Sequence, residues 1–524
     1  MPPQLISPWT TRYAGLDVPA LLGLQASRFP DRSFLTWEPF EGARKEWTYA
    51  GFARDVERLA CGFLKNGVRE GDCLLIHLDN CPEAILAWYA CARIGAIAVT
   101  TNTRASQAEL SYFATVCRPV AAITQAAYSW PVEAACPGLN FLAIADPENA
   151  GGALSPEGQF ASLLVEGEVP SVPADPLRRL SVQFTSGTTA RPKAVVWTHA
   201  NALWGGERSA AHEGLIASDV HYVHLPLFHT NAQVYSVLAT LWTGASMVLV
   251  PKFSASRFWD TSLRNGCTWS SMIPFCVKAL LSQAVPAGHK YRIWAPAVSL
   301  PEVEAATGIR TMGWWGMTET VTHGIVGACG QTEPRMSIGR PAAGYEVAVL
   351  AENGDAARPG ETGELLIRGV PGVSLFLEYM GDEAATRAAY NETGFMITGD
   401  RVTLGMGGEL YFADRAKDML KVGGENVSAA EVERVVAMVA GVREAAVVGK
   451  PHPMLDEVPV AFIIPEPGVS EERIIEAIYA ACAAELADFK RVADVKIVKE
   501  LPRSTLEKVA KADLRRQLRE EVAQ

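Results

Sequence analysis

The sequence has no cysteine pair at CxxC spacing and no Cys/His cluster, although ten cysteines are scattered through it. Neither a disulfide framework nor a zinc site is supported, and the thiols read as small buried apolar groups. No apolar run reaches membrane-spanning length, and the opening residues, MPPQLISPWTTRYAG, lack the basic stretch and apolar core of a secretory signal. A cytoplasmic location without a membrane span is the expectation. Positive charge is also in short supply. The 47 Lys and Arg stand against 58 Asp and Glu, a net charge of −11 that repels a polyanion and argues against a nucleic-acid partner. Only the tail from Glu485 onward is mildly basic, with ten Lys or Arg against eight Asp or Glu. Internal repeats and low-complexity tracts are absent, and so is the GxxxxGK[ST] loop of a P-loop NTPase.

What is present is material for more than one core: 524 residues, 49% hydrophobic and 20% charged. Phe52, Val56, Leu59 and Phe63 recur at helical spacing, and Cys73 to Leu78 follows as an apolar strand. Helices are predicted over Glu83 to Arg93 and Gln107 to Val116, with strands over Ala96 to Thr100 and Val120 to Thr124. Such alternation predicts parallel sheets covered by helices. The stretches Pro147 to Gly158 and Val169 to Pro176 read as surface connections. A boundary is expected near Asp414. Beyond it come a helix from Ser428, strands over Ala445 to Val448 and Val460 to Ile464, and a helix over Glu471 to Leu486. Ser428 and Glu431 have capping-box spacing. The expected fold is α/β: a large N-terminal domain of helix-covered sheets (1–413) and a small, mobile α+β C-terminal domain (414–524).

The chemistry concentrates in SVQFTSGTTARPKAVVWTHAN, Ser181 to Asn201. Thr185, Ser186, Gly187, Thr188 and Thr189 place four hydroxyls and a glycine in five residues, and Lys193 follows. Hydroxyls and backbone N–H groups of such a loop can cradle phosphate oxygens while a lysine neutralises their charge. Four further segments follow in order: IWAPAV (Ile293 to Val298), GWWGMTET (Gly313 to Thr320), GFMITGD (Gly394 to Asp400) and DRAKDMLKVGGENVSAAEVE (Asp414 to Glu433). The last is LPRSTLEKVAKADLR, Leu501 to Arg515. Singly, a Thr-Glu pair or a TGD turn is commonplace; the ordered series is not.

The series resembles the adenylate-forming superfamily of acyl-CoA synthetases, adenylation domains and beetle luciferases, over nearly the whole chain. The family loop TSGTTGxPKGV is matched with Ala190 and Ala194 in place of two glycines. The family's YGxTE is matched with Trp315 in place of tyrosine. The resemblance implies ATP, Mg2+ and CoA as ligands. It implies that Thr318 contacts the α-phosphate, that Glu319 holds magnesium, and that Ala295, Pro296, Trp314, Trp315 and Gly316 lie along the adenylate. Asp400 and Arg415 would bind ribose, Lys417 would be the hinge, and Gly423 and Gly424 would flank the pantetheine arm of CoA. Lys508 matches the catalytic lysine, preceded by Glu507 where the family has glycine. His229, in PLFHTNAQ, together with Trp294 and Gly313, is expected to line a pocket for a compact or aromatic acid. Within the family, GGENVS and FHTNAQ look most like the carnitine or crotonobetaine ligase branch, whose quaternary ammonium an aromatic cage could hold. The implied activity is conversion of a carboxylic acid to acyl-AMP and then to acyl-CoA. An acyl-AMP ligase serving a carrier protein, and a degenerate nucleotide- or acyl-binding member, are the alternatives. Oligomeric state is left open, a homodimer included.

Overall fold

The computed structural model describes residues 10–146, 160–185, 191–328, 333–351, 353–415, 419–502, 509 and 511–523. Ser186, Gly187, Thr188, Thr189, Ala190, Lys417, Glu507 and Lys508 lie outside them, as does the predicted connection from Pro147 to Gly158. The chain forms two compact units. The larger comprises 1–103, 114–184 and 194–414; the smaller comprises 104–113, 185–193 and 415–524.

The larger unit is built on two sheets. One orders the strands Glu378–Tyr379, Lys193–Thr198, Arg179–Thr185, Ile97–Thr100, Cys73–His77, Ala121–Gln125 and Phe141–Ala145. The pairings from Arg179–Thr185 to Phe141–Ala145 are parallel, as the helix-strand alternation predicts. The amphipathic helix Tyr49–Lys65 packs Phe52, Val56, Leu59 and Phe63 into the core, and its first turn is capped by Thr48 Oγ1 accepting from Gly51 N at 3.1 Å. The second sheet has thirteen strands among the described residues. Its parallel part runs Ser33–Trp37, Ser246–Leu249, Val220–Val223, Trp269–Ser271, Ile293–Ala297, Arg310–Trp315. It turns antiparallel at Ile325–Val326 and continues through Ser337–Pro341 and Leu410–Arg415. Ile293–Ala297 and Arg310–Trp315 are adjacent, so two of the singled-out segments leave the sheet side by side.

In the smaller unit the long strands Val442–His452 and Asp456–Pro465 pair antiparallel, and Asp494–Ile497 joins Asp456–Pro465 in parallel. Side chains alternate between two cores. Val447, Ala461 and Ile463 face one that includes Val432, Val436, Ile474 and Ile478, whereas Ala446, Val448, Val460 and Phe462 face Leu514 and Leu518. The predicted capping box at Ser428 is half formed. Ser428 Oγ accepts from Glu431 N at 3.3 Å, but the Glu431 carboxylate receives Lys490 Nζ at 3.0 Å instead of turning back to the cap. Lys490 also pairs with Glu109, and a buried ammonium between two carboxylates outcompetes a single neutral backbone N–H for Glu431.

Candidate active site

The segment Gly313–Thr320 is fixed by three indoles. Trp197, in the strand Lys193–Thr198, donates Nε1 to the Thr318 carbonyl at 2.9 Å. Trp314 donates to Ala295 O at 3.1 Å, tying the segment to the adjacent strand end. Trp315 donates to Asp400 Oδ2 at 2.8 Å, and both side chains are buried. The substitution of tryptophan for the family tyrosine thus supplies an N–H that orients the carboxylate expected at ribose. Gly313 and Gly316 permit this packing: a Cβ at Gly313 would come within 2.1 Å of Ser337 O, and one at Gly316 within 2.7 Å of Tyr235 Oη and 2.9 Å of Thr322 O.

Glu319 is 4% exposed. Its Oε1 accepts from Tyr379 Oη at 2.8 Å, and its carbonyl accepts from Phe376 N at 2.8 Å. Burial first, and then the Glu319 charge, push the Tyr379 phenol far above its ordinary range, so it remains a protonated donor. Thr318 Oγ1 lies 3.2 Å from Thr230 Oγ1, which donates to Gln183 Oε1 at 2.8 Å. Gln183 in turn donates to Gln233 Oε1 at 2.7 Å, and Gln233 to Thr100 Oγ1 at 3.3 Å. Gln233 lies in the π-helix Asn231–Leu238, a rare wide-turn geometry frequent at functional sites. Just past Glu319, Val321 has φ +63 and ψ −47, and Thr322 N donates back to Thr320 O at 2.6 Å. This is a γ-turn centred on a β-branched residue, a strained arrangement that the surrounding contacts must hold.

A polar aromatic group stands behind the segment. The Tyr235 ring is 4.0 Å from His323 and 5.1 Å from Trp314, and His323 Nε2 is 3.8 Å from Glu213 Oε1. Trp314 is half-buried, whereas Tyr235, His323 and Glu213 are buried. Burial pushes the pKa of His323 well below the ordinary imidazole value.

The other candidates divide clearly. His229 is half-buried, 4.7 Å from the Phe228 ring, and its carbonyl accepts from Gln233 N at 3.2 Å. Trp294 has no exposed surface and packs against Phe258, Trp259 and Tyr291. Alternation along its strand turns it away from Ile293 and Ala295 into this second core, so the pocket-lining role expected of it falls to core packing. Pro296 and Ala295 are buried at the strand end, and Ala297 beside them has φ +72. Thr185 and Lys193 are half-buried, the last residue of the strand Arg179–Thr185 and the first of Lys193–Thr198. Ala194 sits within an ordinary strand and is not among the residues with positive φ, so alanine is accommodated there. Arg415 closes the strand Leu410–Arg415. Gly423 and Gly424 are exposed with φ +58 and +87, a turn that side chains would strain. Among the described residues no three His, Cys, Asp or Glu gather as a metal cluster. The oxygen donors Glu319 and Thr318 fit a hard divalent cation whose remaining ligands are phosphate and water.

Tyr379, Trp197, Gln183, Thr230 and Tyr345 were not singled out from sequence; Tyr345 donates Oη to Thr320 O at 2.6 Å. The THAN stretch, Thr198 to Asn201, which ends the Ser181 to Asn201 segment, has a structural role. Thr198 and Asn201 form a capping box on the helix His199–His212, and Asn201 Nδ2 donates to Val373 O and Leu375 O, each at 2.8 Å.

Comparison with known proteins places the chain in a family. Residues 23–380 match the family model described as AMP-binding enzyme, and 431–508 match the AMP-binding enzyme C-terminal domain. The chain is 32% identical over 510 residues to a crotonobetaine/carnitine–CoA ligase of Salmonella arizonae, covering 94% of this chain and 97% of that one. A ligase of the same name from Citrobacter koseri is 32% identical over 509 residues, with the same coverage. Among solved structures, the o-succinylbenzoate CoA synthetase of Bacillus subtilis, bound to a product analogue, aligns with TM-score 0.82 and 25% identity over 96% of this chain and 99% of that one. The anthranilate CoA ligase AuaEII, in complex with anthranoyl-AMP, shares the fold at TM-score 0.71 and 24% identity over 99% of this chain and 100% of that one. With both family models matched in order and these relatives aligned along almost its full length, the chain belongs to the AMP-binding enzyme family and is an ATP-dependent acid–CoA ligase.

Proposed function

We propose that the Gly313–Thr320 segment and Asp400 form the adenylate site, in which a substrate carboxylate oxygen attacks the α-phosphorus of ATP and pyrophosphate leaves. The observation that carries this reading is the bracing of Thr318, Glu319 and Asp400 by Thr230, Tyr379 and Trp315. Phosphoryl transfer of this kind depends on positioning and electrostatics more than on covalent help. Thr318 contacts the α-phosphate, Asp400 accepts from the ribose hydroxyls, and Trp315, Trp314, Gly316, Ala295 and Pro296 border the nucleotide. Glu319 would hold Mg2+, which when bound neutralises phosphate charge. Ser186 to Thr189 and Lys193 orient the leaving pyrophosphate, Arg415 assists at ribose, and Lys508 stabilises charge in this half-reaction only.

In the second half-reaction the CoA thiol attacks the acyl carbonyl of the adenylate, the carbon–sulfur bond forms, AMP departs and the thiol proton passes to solvent. We assign Lys417 as the hinge between domains 1–413 and 414–524, and Gly423 and Gly424 as the wall along the pantetheine arm. The acid is compact. His229, Gly313 and Trp314 border its pocket, with Tyr235 and His323 behind. A carnitine-like betaine acid suits this aromatic wall through cation–π attraction, and two relatives are named for such acids. A cytoplasmic enzyme has both ATP and CoA at hand.

The test is pyrophosphate release over a panel of betaine, aromatic and straight-chain acids, with and without CoA, followed by single-turnover assays of Lys508→Ala. Adenylation by the variant is expected to fall by several orders of magnitude while thioester formation from supplied acyl-AMP persists. Equal loss in both halves overturns the assignment of Lys508.

A further inference from the structure

Glu319 is buried on a segment that ends in a strained turn, so its carboxylate needs an external constraint to hold one orientation. Tyr379 supplies it. The two-residue strand Glu378–Tyr379 pairs antiparallel with Lys193–Thr198, in register Glu378 with Val196 and Tyr379 with Val195. Leu377 N donates to Val196 O at 2.9 Å, Met380 N to Ala194 O at 2.8 Å, and Tyr379 N to Thr386 Oγ1 at 2.9 Å. The backbone of Tyr379 is thus fixed on both sides, and its ring is set 4.7 Å from Phe376. Phe376 N and Tyr379 Oη, three residues apart, grip the carbonyl and the carboxylate of the same glutamate.

We propose that Tyr379 is a positioning residue that holds the Glu319 carboxylate in the orientation a divalent cation on the ATP phosphates requires, and that it ties this carboxylate to the strand leaving the phosphate loop. The proposal rests on the reading of Glu319 as the metal carboxylate. Outer-shell partners of metal ligands typically contribute about tenfold to a hundredfold in metal affinity. The hydroxyl alone carries the effect, because Tyr379→Phe keeps the ring packed on Phe376. Tyr390 provides an internal comparison. Its ring stacks on Phe376 at 6.2 Å with an interplanar angle of 6°, and its hydroxyl is shielded without a hydrogen-bond partner among the described residues.

The experiment measures, by calorimetry, the affinity of the full chain for α,β-methylene-ATP in excess Mg2+ and in EDTA; the ratio is the metal-dependent gain. Tyr379→Phe is expected to reduce this gain by about tenfold with the EDTA affinity unchanged. Tyr390→Phe is expected to leave both unchanged, and thermal melting checks that each variant is folded. If Glu319→Gln lowers the gain but Tyr379→Phe keeps it within about twofold, the proposal is wrong while Glu319 keeps its assignment. A fall in both affinities for Tyr379→Phe, or an equal loss of gain in Tyr390→Phe, also overturns it. An unchanged gain in Glu319→Gln refutes the reading of Glu319 itself.

Discussion

Lowering the pH from 8 to 5.5 should unfold the larger unit far more readily than its carboxylates alone predict. Five of its histidines are buried and neutral. Burial pushes His77 and His212 down to about 4, His199 and His224 down to about 3, and His221 well below the ordinary 6.5. At His199 the contact is specific, since Nδ1 accepts from Val18 N at 3.3 Å and cannot carry a proton without losing that bond. His323 shifts the same way, held down by burial and then by His212, so the sum without it is a lower bound. A histidine whose folded pKa is depressed contributes stability that is complete above 6.5 and is lost as pH falls toward the folded value. The unfolded chain takes up the proton and the native one does not. At pH 5.5 each such group costs about 1.4 kcal/mol, or about 7 kcal/mol for the five together, against a total stability of about 5–15 kcal/mol. Urea unfolding followed by tryptophan fluorescence reads this directly, because all 13 tryptophans precede Asp414. The midpoint should fall steeply between pH 6.5 and 5.5, and His77→Gln, which can keep a bond to Thr101 Oγ1, should remove about a fifth of the slope. A midpoint that stays flat down to pH 5.5 refutes the reasoning. The smaller unit should behave oppositely. Burial pushes Glu431 up to about 6, so its stability is fully present below 4.5 and is lost as pH rises through 6; amide exchange in Ala429–Ala437 should slow on acidification.

Two substitutions probe the site more directly. Gly316→Ala forces a Cβ against Tyr235 Oη and the Thr322 carbonyl, so we expect a loss of about 1–3 kcal/mol in stability and about a hundredfold in adenylation rate, measured by melting and pyrophosphate exchange. Trp315→Phe deletes the donor to Asp400, a bond to a charged group of about 1.5–3 kcal/mol; KM for ATP should rise about tenfold or more with a smaller change in kcat, and an unchanged KM would show that Asp400 needs no brace.

The two-unit α/β organisation was legible in the sequence because alternating apolar periodicities survive any particular packing. Cys73–His77 and Pro82–Ile94 begin and end within a residue or so of their predicted limits. The segments GWWGMTET and GFMITGD stand out in the sequence for a different reason: charge and hydroxyls in a fixed local order suit phosphate and ribose, the roles proposed for them. The residues that brace them leave no such local signal. Tyr379 is 60 positions from Glu319, Trp197 is 121 from Thr318, and Gln183 is 47 from Thr230, each an ordinary residue until the fold brings it home. Trp294 fails for a related reason. Its neighbours suggested a pocket, but strand alternation gave its side chain to the Phe258 and Tyr291 cluster. Glu431 has the spacing of a capping box, yet Lys490, 59 residues later, decides where its carboxylate goes.

The THAN motif shows how these distant braces act together. Thr198 and Asn201 cap their own helix, and the same side chains reach Gly372 O, Val373 O and Leu375 O in the loop that leads to Phe376 and Tyr379. From there Phe376 and Tyr379 hold Glu319, while Trp197 from the intervening strand holds Thr318. Val321, immediately beyond, has its left-handed γ-turn pinned by Tyr345 on the Thr320 carbonyl. A strain of about 1–3 kcal/mol at one residue persists only if neighbouring bonds, each contributing about 1 kcal/mol net, over-determine it. Six such bonds meet on residues 318–320 and the loop 372–376, more than enough to offset the strain. The THAN motif therefore acts at one remove. It fixes the loop that fixes the glutamate, and its loss should show first in the geometry of Glu319 rather than in contact with phosphate.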